Sequence, residues 1–124
     1  MSTVAIVFNI FALAAVCATA AMHWFGIESY LYWTYPWWDI PTHILGGLTV
    51  GFWAAAVATR RHLPPLRAAL LIVGLTFVVA IGWEAWEFAE GVSGGFVDAI
   101  KDLADSLVGA LAVSGIYKIF KGRD

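Results

Sequence analysis

Residues 4–25, VAIVFNIFALAAVCATAAMHWF, decide the fold. The stretch holds no Asp, Glu, Lys or Arg, and at about 20 residues per crossing it is long enough to span the hydrocarbon core of a bilayer as one helix. The remainder of the chain has the same character. Hydrophobic residues make up 61% of the 124 positions and charged residues 13%, with a mean hydropathy of +0.80. Those values lie outside the range of water-soluble domains, so the solvent is largely lipid.

Three further apolar runs follow, 38–59, 66–88 and 98–120. Together they predict an all-α integral membrane four-helix bundle with short connections, a single transmembrane domain over 1–124 with no room for a soluble one. The first connection, 26–37, is rich in Tyr and Trp and belongs at the membrane surface, where such rings sit at the headgroup level. The second, 60–65, contains Pro64 and Pro65, which stop one helix and restart the next. The third, 90–96, contains Gly91, Gly94 and Gly95, which reverse direction at little steric cost. Ala18-Thr19-Ala20 has the look of a signal cleavage site, but no Lys or Arg precedes it, and the first run is expected to remain as a span. Cys17 is the only cysteine, which excludes an internal disulfide and a cysteine-based metal knuckle.

Orientation follows from Lys and Arg. Arg60, Arg61 and Arg67 flank the second connection and Lys118, Lys121 and Arg123 the carboxyl end, which leaves only Lys101 of the 7 for the other side. The expected location is the inner (cytoplasmic) membrane, with both termini cytoplasmic. The net charge of -2 is small and gives no support for nucleic-acid binding. All acids except Asp124 then fall in the outer half: Glu28, Asp39, Glu84, Glu87, Glu90, Asp98, Asp102 and Asp105.

Ideal helix rise places His43, Glu84 and Asp102 each roughly 24–26 Å above the inner boundary, with Asp39, Glu87 and Asp98 near 30 Å and Asp105 near 20 Å, all as approximate depths. Spacing puts each set on one helix face: Asp39 with His43, Glu84 with Glu87, and Asp98 with Asp102 and Asp105. Polar stripes at these depths point into the bundle or a wet cavity, because a carboxylate facing acyl chains costs several kcal/mol. Acids this close share protons, line water or bind a cation, and Lys101 is the one basic residue nearby. The favoured reading is a divalent metal, zinc, manganese or iron, held by His43, Glu84 and Asp102, with Asp39, Glu87 and Asp105 as further ligands or partners. Neither Glu-x-x-His nor His-Glu-x-x-His is present.

Plainer roles stand beside this one. Asp39, Asp98 and Asp102 sit where a carboxylate favours a helix N-terminus. Glu28 and Glu90 read as solvated loop acids, and His23 as an interface residue. His62 lies on the opposite side. Gly47-x-x-x-Gly51 reads as a face for close helix packing.

Taken in order, Asp39-x-x-x-His43 with Gly46-Gly47, Glu84-x-x-Glu87, a glycine turn, and Asp98-x-x-x-Asp102-x-x-Asp105 with Gly109 resemble the YjdF-like small inner-membrane proteins. More distantly the chain is similar to the VanZ-like family, though it lacks that family's Glu-x-x-Gln and Arg-containing stretch after the third helix. The resemblance implies a fold and a recurrent acidic site, with no substrate.

Three function classes stay open. In one, water activated by the metal attacks an ester or phosphoester of a lipid or envelope precursor, with Glu84 or Glu87 as catalytic general base. In another, the acids carry protons or cations, although the inner helix halves hold none to continue the path. In the last, the chain is a structural or assembly subunit whose Trp-rich connection meets a partner. The partner common to all three is membrane lipid, with a homo-oligomer or a second membrane protein left open.

Overall fold

A computed structural model describes residues 2–121, and among them every regular element is helical. α1, Thr3–Glu28, starts at Ser2, whose hydroxyl accepts the Ala5 N–H at 3.2 Å and so satisfies one of the free donors of the first turn. After Ser29, Tyr30 takes the left-handed backbone conformation (φ 53°) and turns the chain into α2, the single turn Leu31–Thr34. A 3₁₀ turn, Pro36–Trp38, then feeds directly into α3, Asp39–Arg60. The aromatic connection is therefore largely helical itself.

The α3–α4 hairpin closes on its own backbone. His62 is left-handed (φ 52°) and the Leu63 N–H returns to the Ala58 carbonyl at 3.0 Å. Pro65 then opens α4, Pro65–Glu90, at a position where a missing N–H costs nothing. At its far end Gly91 supplies the left-handed residue (φ 71°) and Val92 N–H bonds Glu87 O at 3.0 Å, a closure that favours glycine. α5, Phe96–Lys121, completes the chain.

The four long helices are each long and apolar enough to cross a membrane. Short connections make successive long helices antiparallel, so α3 and α5 run parallel and bring their N-termini to the same end. α3 is central: α1 and α5 pack on it, and α4 closes against both α3 and α5. The dry core fills the end of the bundle that carries Arg60 and Lys118. Phe8, Ala54, Ala58, Ile72 and Val113 are buried there, and Tyr117 donates to the Leu63 carbonyl at 2.8 Å, tying the hairpin to α5. Outward side chains such as Leu13 (64% exposed), Leu66 (73%) and Leu111 (60%) form a surface that only acyl chains solvate without cost.

α3 and α5 meet backbone to backbone. A side-chain carbon at Gly47 would collide with the Ser106 carbonyl oxygen, and one at Gly109 with the Ile44 carbonyl. One turn further on, a carbon at Gly51 would stand 3.0 Å from Val113 Cγ2. Small residues thus allow the close crossing that dispersion forces favour in lipid, where no hydrophobic effect drives helices together.

Candidate functional site

That crossing positions the polar side chains. One turn from Gly47 toward the N-terminus of α3 is His43, and one turn from Ser106 toward the N-terminus of α5 is Asp102. Because the helices are parallel, the two steps go the same way and the side chains meet: His43 Nε2 lies 3.5 Å from Asp102 Oδ2. Asp39, in the first turn of α3, adds an oxygen 3.2 Å from the same nitrogen. Asp102 is 2% exposed, which an ionisable group tolerates only when it is paired.

The pairing comes from Lys101. Its Nζ lies 2.6 Å from Asp102 Oδ1, 3.4 Å from Asp39 Oδ2, 3.7 Å from Asp98 Oδ1 and 3.9 Å from Asp105 Oδ2. It donates hydrogen bonds to Asp102 and Asp39. One ammonium therefore faces four carboxylates drawn from two helices.

Of the residues singled out from the sequence, Asp39, His43 and Asp102 come together. One ligand atom from each lies within 4.8 Å of the others, spacing compatible with a single ion. Two carboxylates and an imidazole are a donor set suited to zinc, manganese or iron. Glu84, Glu87 and Asp105 lie outside that group. Glu84 is half-buried on α4, in electrostatic reach of Asp102, His43, Asp39 and Glu87. Glu87 accepts the Trp83 indole N–H at 2.8 Å on an exposed face. Asp105 Oδ2 is buried with no hydrogen bond, its nearest charge being Lys101.

Two features depend on how the helices pack. Lys101 was visible as a nearby cation, and its i+3 and i+4 relation to Asp98 and Asp105 is a readable signal, but its reach across to Asp39 depends on the helix crossing. Tyr32 gave no signal. Its hydroxyl pairs with His23 Nδ1 at 2.9 Å and donates to Thr42 Oγ1 at 3.4 Å, linking α1, the aromatic connection and α3. Burial pushes that phenol above its ordinary pKa, the Thr42 bond opposes the shift, and the charges of Asp39 and Glu87 add to it. His23 also packs edge-on against Trp83, with ring centroids 6.0 Å apart.

Four apolar spans around a half-buried polar cluster define a multi-pass membrane protein. The chain belongs to the family described as "Predicted membrane protein (DUF2238)", which matches residues 2–123. No curated protein and no solved structure matches it.

Proposed function

We propose that Asp39, His43 and Asp102 hold a divalent metal, zinc, manganese or iron, at the outer side of the inner membrane, and that the site hydrolyses an ester or phosphoester of a lipid or envelope precursor. The observation that supports this reading is the approach of three ligand atoms to within 4.8 Å, from two helices locked in register below them. Bound there, the ion supplies Lewis acidity and lowers the pKa of water. Glu84, with Glu87 one turn away, lies in electrostatic reach of Asp102 and His43 and takes the general-base role. Asp105 and Lys101 balance charge around the ligands.

The chain is read as a YjdF-like protein with both termini cytoplasmic, because Arg60, Arg61, Arg67, Lys118, Lys121 and Arg123 lie at one end and Lys101 alone at the other. A reporter fused after Arg123 is expected to be active only inside the cell. Elemental analysis of detergent-purified protein tests the metal: stoichiometric ion in the natural sequence and its loss in His43→Ala and Asp102→Ala support the site. Absence of metal after chelator-free purification sinks it.

A second reading has its own observation. Lys101 already supplies a cation to the carboxylates, which is what a purely structural or assembly role for the cluster needs. Substituting Lys101 separates the two readings, as argued below.

A further inference from the structure

A groove of about 340 Å³ runs between α4 and α5, within the size range of small-ligand sites. Ile81, Ala85 and Phe88 form one wall and Ala99, Ile100 and Leu103 the other, with Glu84 the single ionisable residue in the lining. Its rim faces the bilayer: Phe88 is 78% and Phe96 81% exposed. An apolar trough in that position takes hydrocarbon, and its volume suits one chain.

The charge around it selects the head. From Ala68 to Ile100 the α4–α5 hairpin contains Glu84, Glu87, Glu90 and Asp98 and no Lys, Arg or His. Lys101, the next cation along, is engaged by Asp102 and Asp39 on the α3 side. A head bearing only phosphate is repelled by this acidic hairpin, whereas an ammonium is attracted. Glu84 reaches both places, since it lines the groove and lies in electrostatic range of Asp102 and His43.

We propose that the α4–α5 groove seats one acyl chain of a lipid whose headgroup carries an ammonium, with the head drawn to Glu84, the one ionisable residue in the groove lining. As a statement of substrate class it rests on the hydrolytic reading; as a binding site it stands on the groove and its charge. A chain seated there brings the ester region of the lipid beside Glu84.

The test uses the whole protein in nanodiscs of phosphatidylglycerol, with traces of phosphatidylethanolamine or phosphatidylglycerol carrying the same diazirine-bearing chain. After irradiation, labelled peptides are mapped by mass spectrometry. Phosphatidylethanolamine is expected to label α4 and α5 about fivefold more than the glycerol lipid, a preference of about 1 kcal/mol. Glu84→Gln is expected to shrink that ratio, and Ala85→Trp, which fills the trough, to abolish labelling there. Ala99→Leu replaces Ala85→Trp should the latter fail to fold by circular dichroism. Equal labelling by the two heads, or labelling of α1 as strong as that of α4 and α5, overturns the proposal. Metal content is read on the same samples. Confined labelling without metal keeps the lipid site and removes the hydrolytic reading, while metal without confined labelling does the reverse.

Discussion

Gly47 and Ser106 touch through their backbones, and the contact lies one turn below the meeting of His43 and Asp102. A methyl at Gly47 has nowhere to go, because its obstacle is a helical carbonyl and not the end of a flexible side chain. Gly47→Ala is therefore expected to push α3 from α5 and destabilise the bundle by about 1–3 kcal/mol, in the manner of an overpacked core. Gly46→Ala, which meets nothing within 4 Å, is expected to be neutral or slightly stabilising. Thermal unfolding in detergent, followed by circular dichroism, compares the two; equal melting temperatures would refute the close crossing.

Lys101 and a metal draw on the same two carboxylates: the ammonium holds Asp39 Oδ2 and Asp102 Oδ1, while Asp39 Oδ1 and Asp102 Oδ2 face His43. Lys101→Met is expected to cost about 1–2 kcal/mol of stability, less than a fully buried pair because the lysine side chain is 40% exposed. On the metal reading it also raises affinity for zinc, by about tenfold or 1.4 kcal/mol, since a resident cation no longer shares the ligand carboxylates. Titration against a chelating dye measures this. Loss of stability with no zinc binding in either protein would favour the structural reading.

Asp102 and Asp105 are a turn apart on α5, and the proposed metal site assigns them different roles. Asp102→Asn is expected to abolish metal binding, whereas Asp105→Asn, outside the three-residue group, is expected to retain the ion at reduced affinity. Metal analysis of both variants checks this, and an equal loss in the two would contradict the assignment.

Tyr32 sets a pH dependence at the alkaline side. Its phenol titrates above the ordinary value of 10.0, so the folded state holds the proton more tightly than the unfolded chain. The stability this contributes is complete below about pH 10 and is lost as pH rises through the higher folded value. Tyr32→Phe is expected to flatten that alkaline loss in detergent melting curves. An unchanged profile would show that the Tyr32 phenol is not buried as described.

Much of the fold was legible because lipid imposes a simple demand: each crossing must be long, apolar and closed on its own hydrogen bonds. Residues 4–25 carry that signal in a run free of Asp, Glu, Lys and Arg. Counting rise per residue also put His43 and Asp102 in one layer, in keeping with their 3.5 Å approach. Depth alone could not separate Glu84 from them, since that depends on the rotation of α4 about its axis, which packing sets. The same rotation leaves Glu87 beside Trp83. Nor could the sequence show Lys101 reaching Asp39, 62 positions away, because that contact exists only after α3 and α5 have crossed.

The glycine contacts between α3 and α5 involve no ionisable group. Register is thus kept by one part of the helix pair and chemistry presented by another, a turn away. The backbone contacts at Gly47, Gly51 and Gly109 are made without the side chains at 39, 43, 98, 101, 102 and 105. A scaffold arranged this way separates the contact that aligns the two helices from the side chains that set the polarity between them.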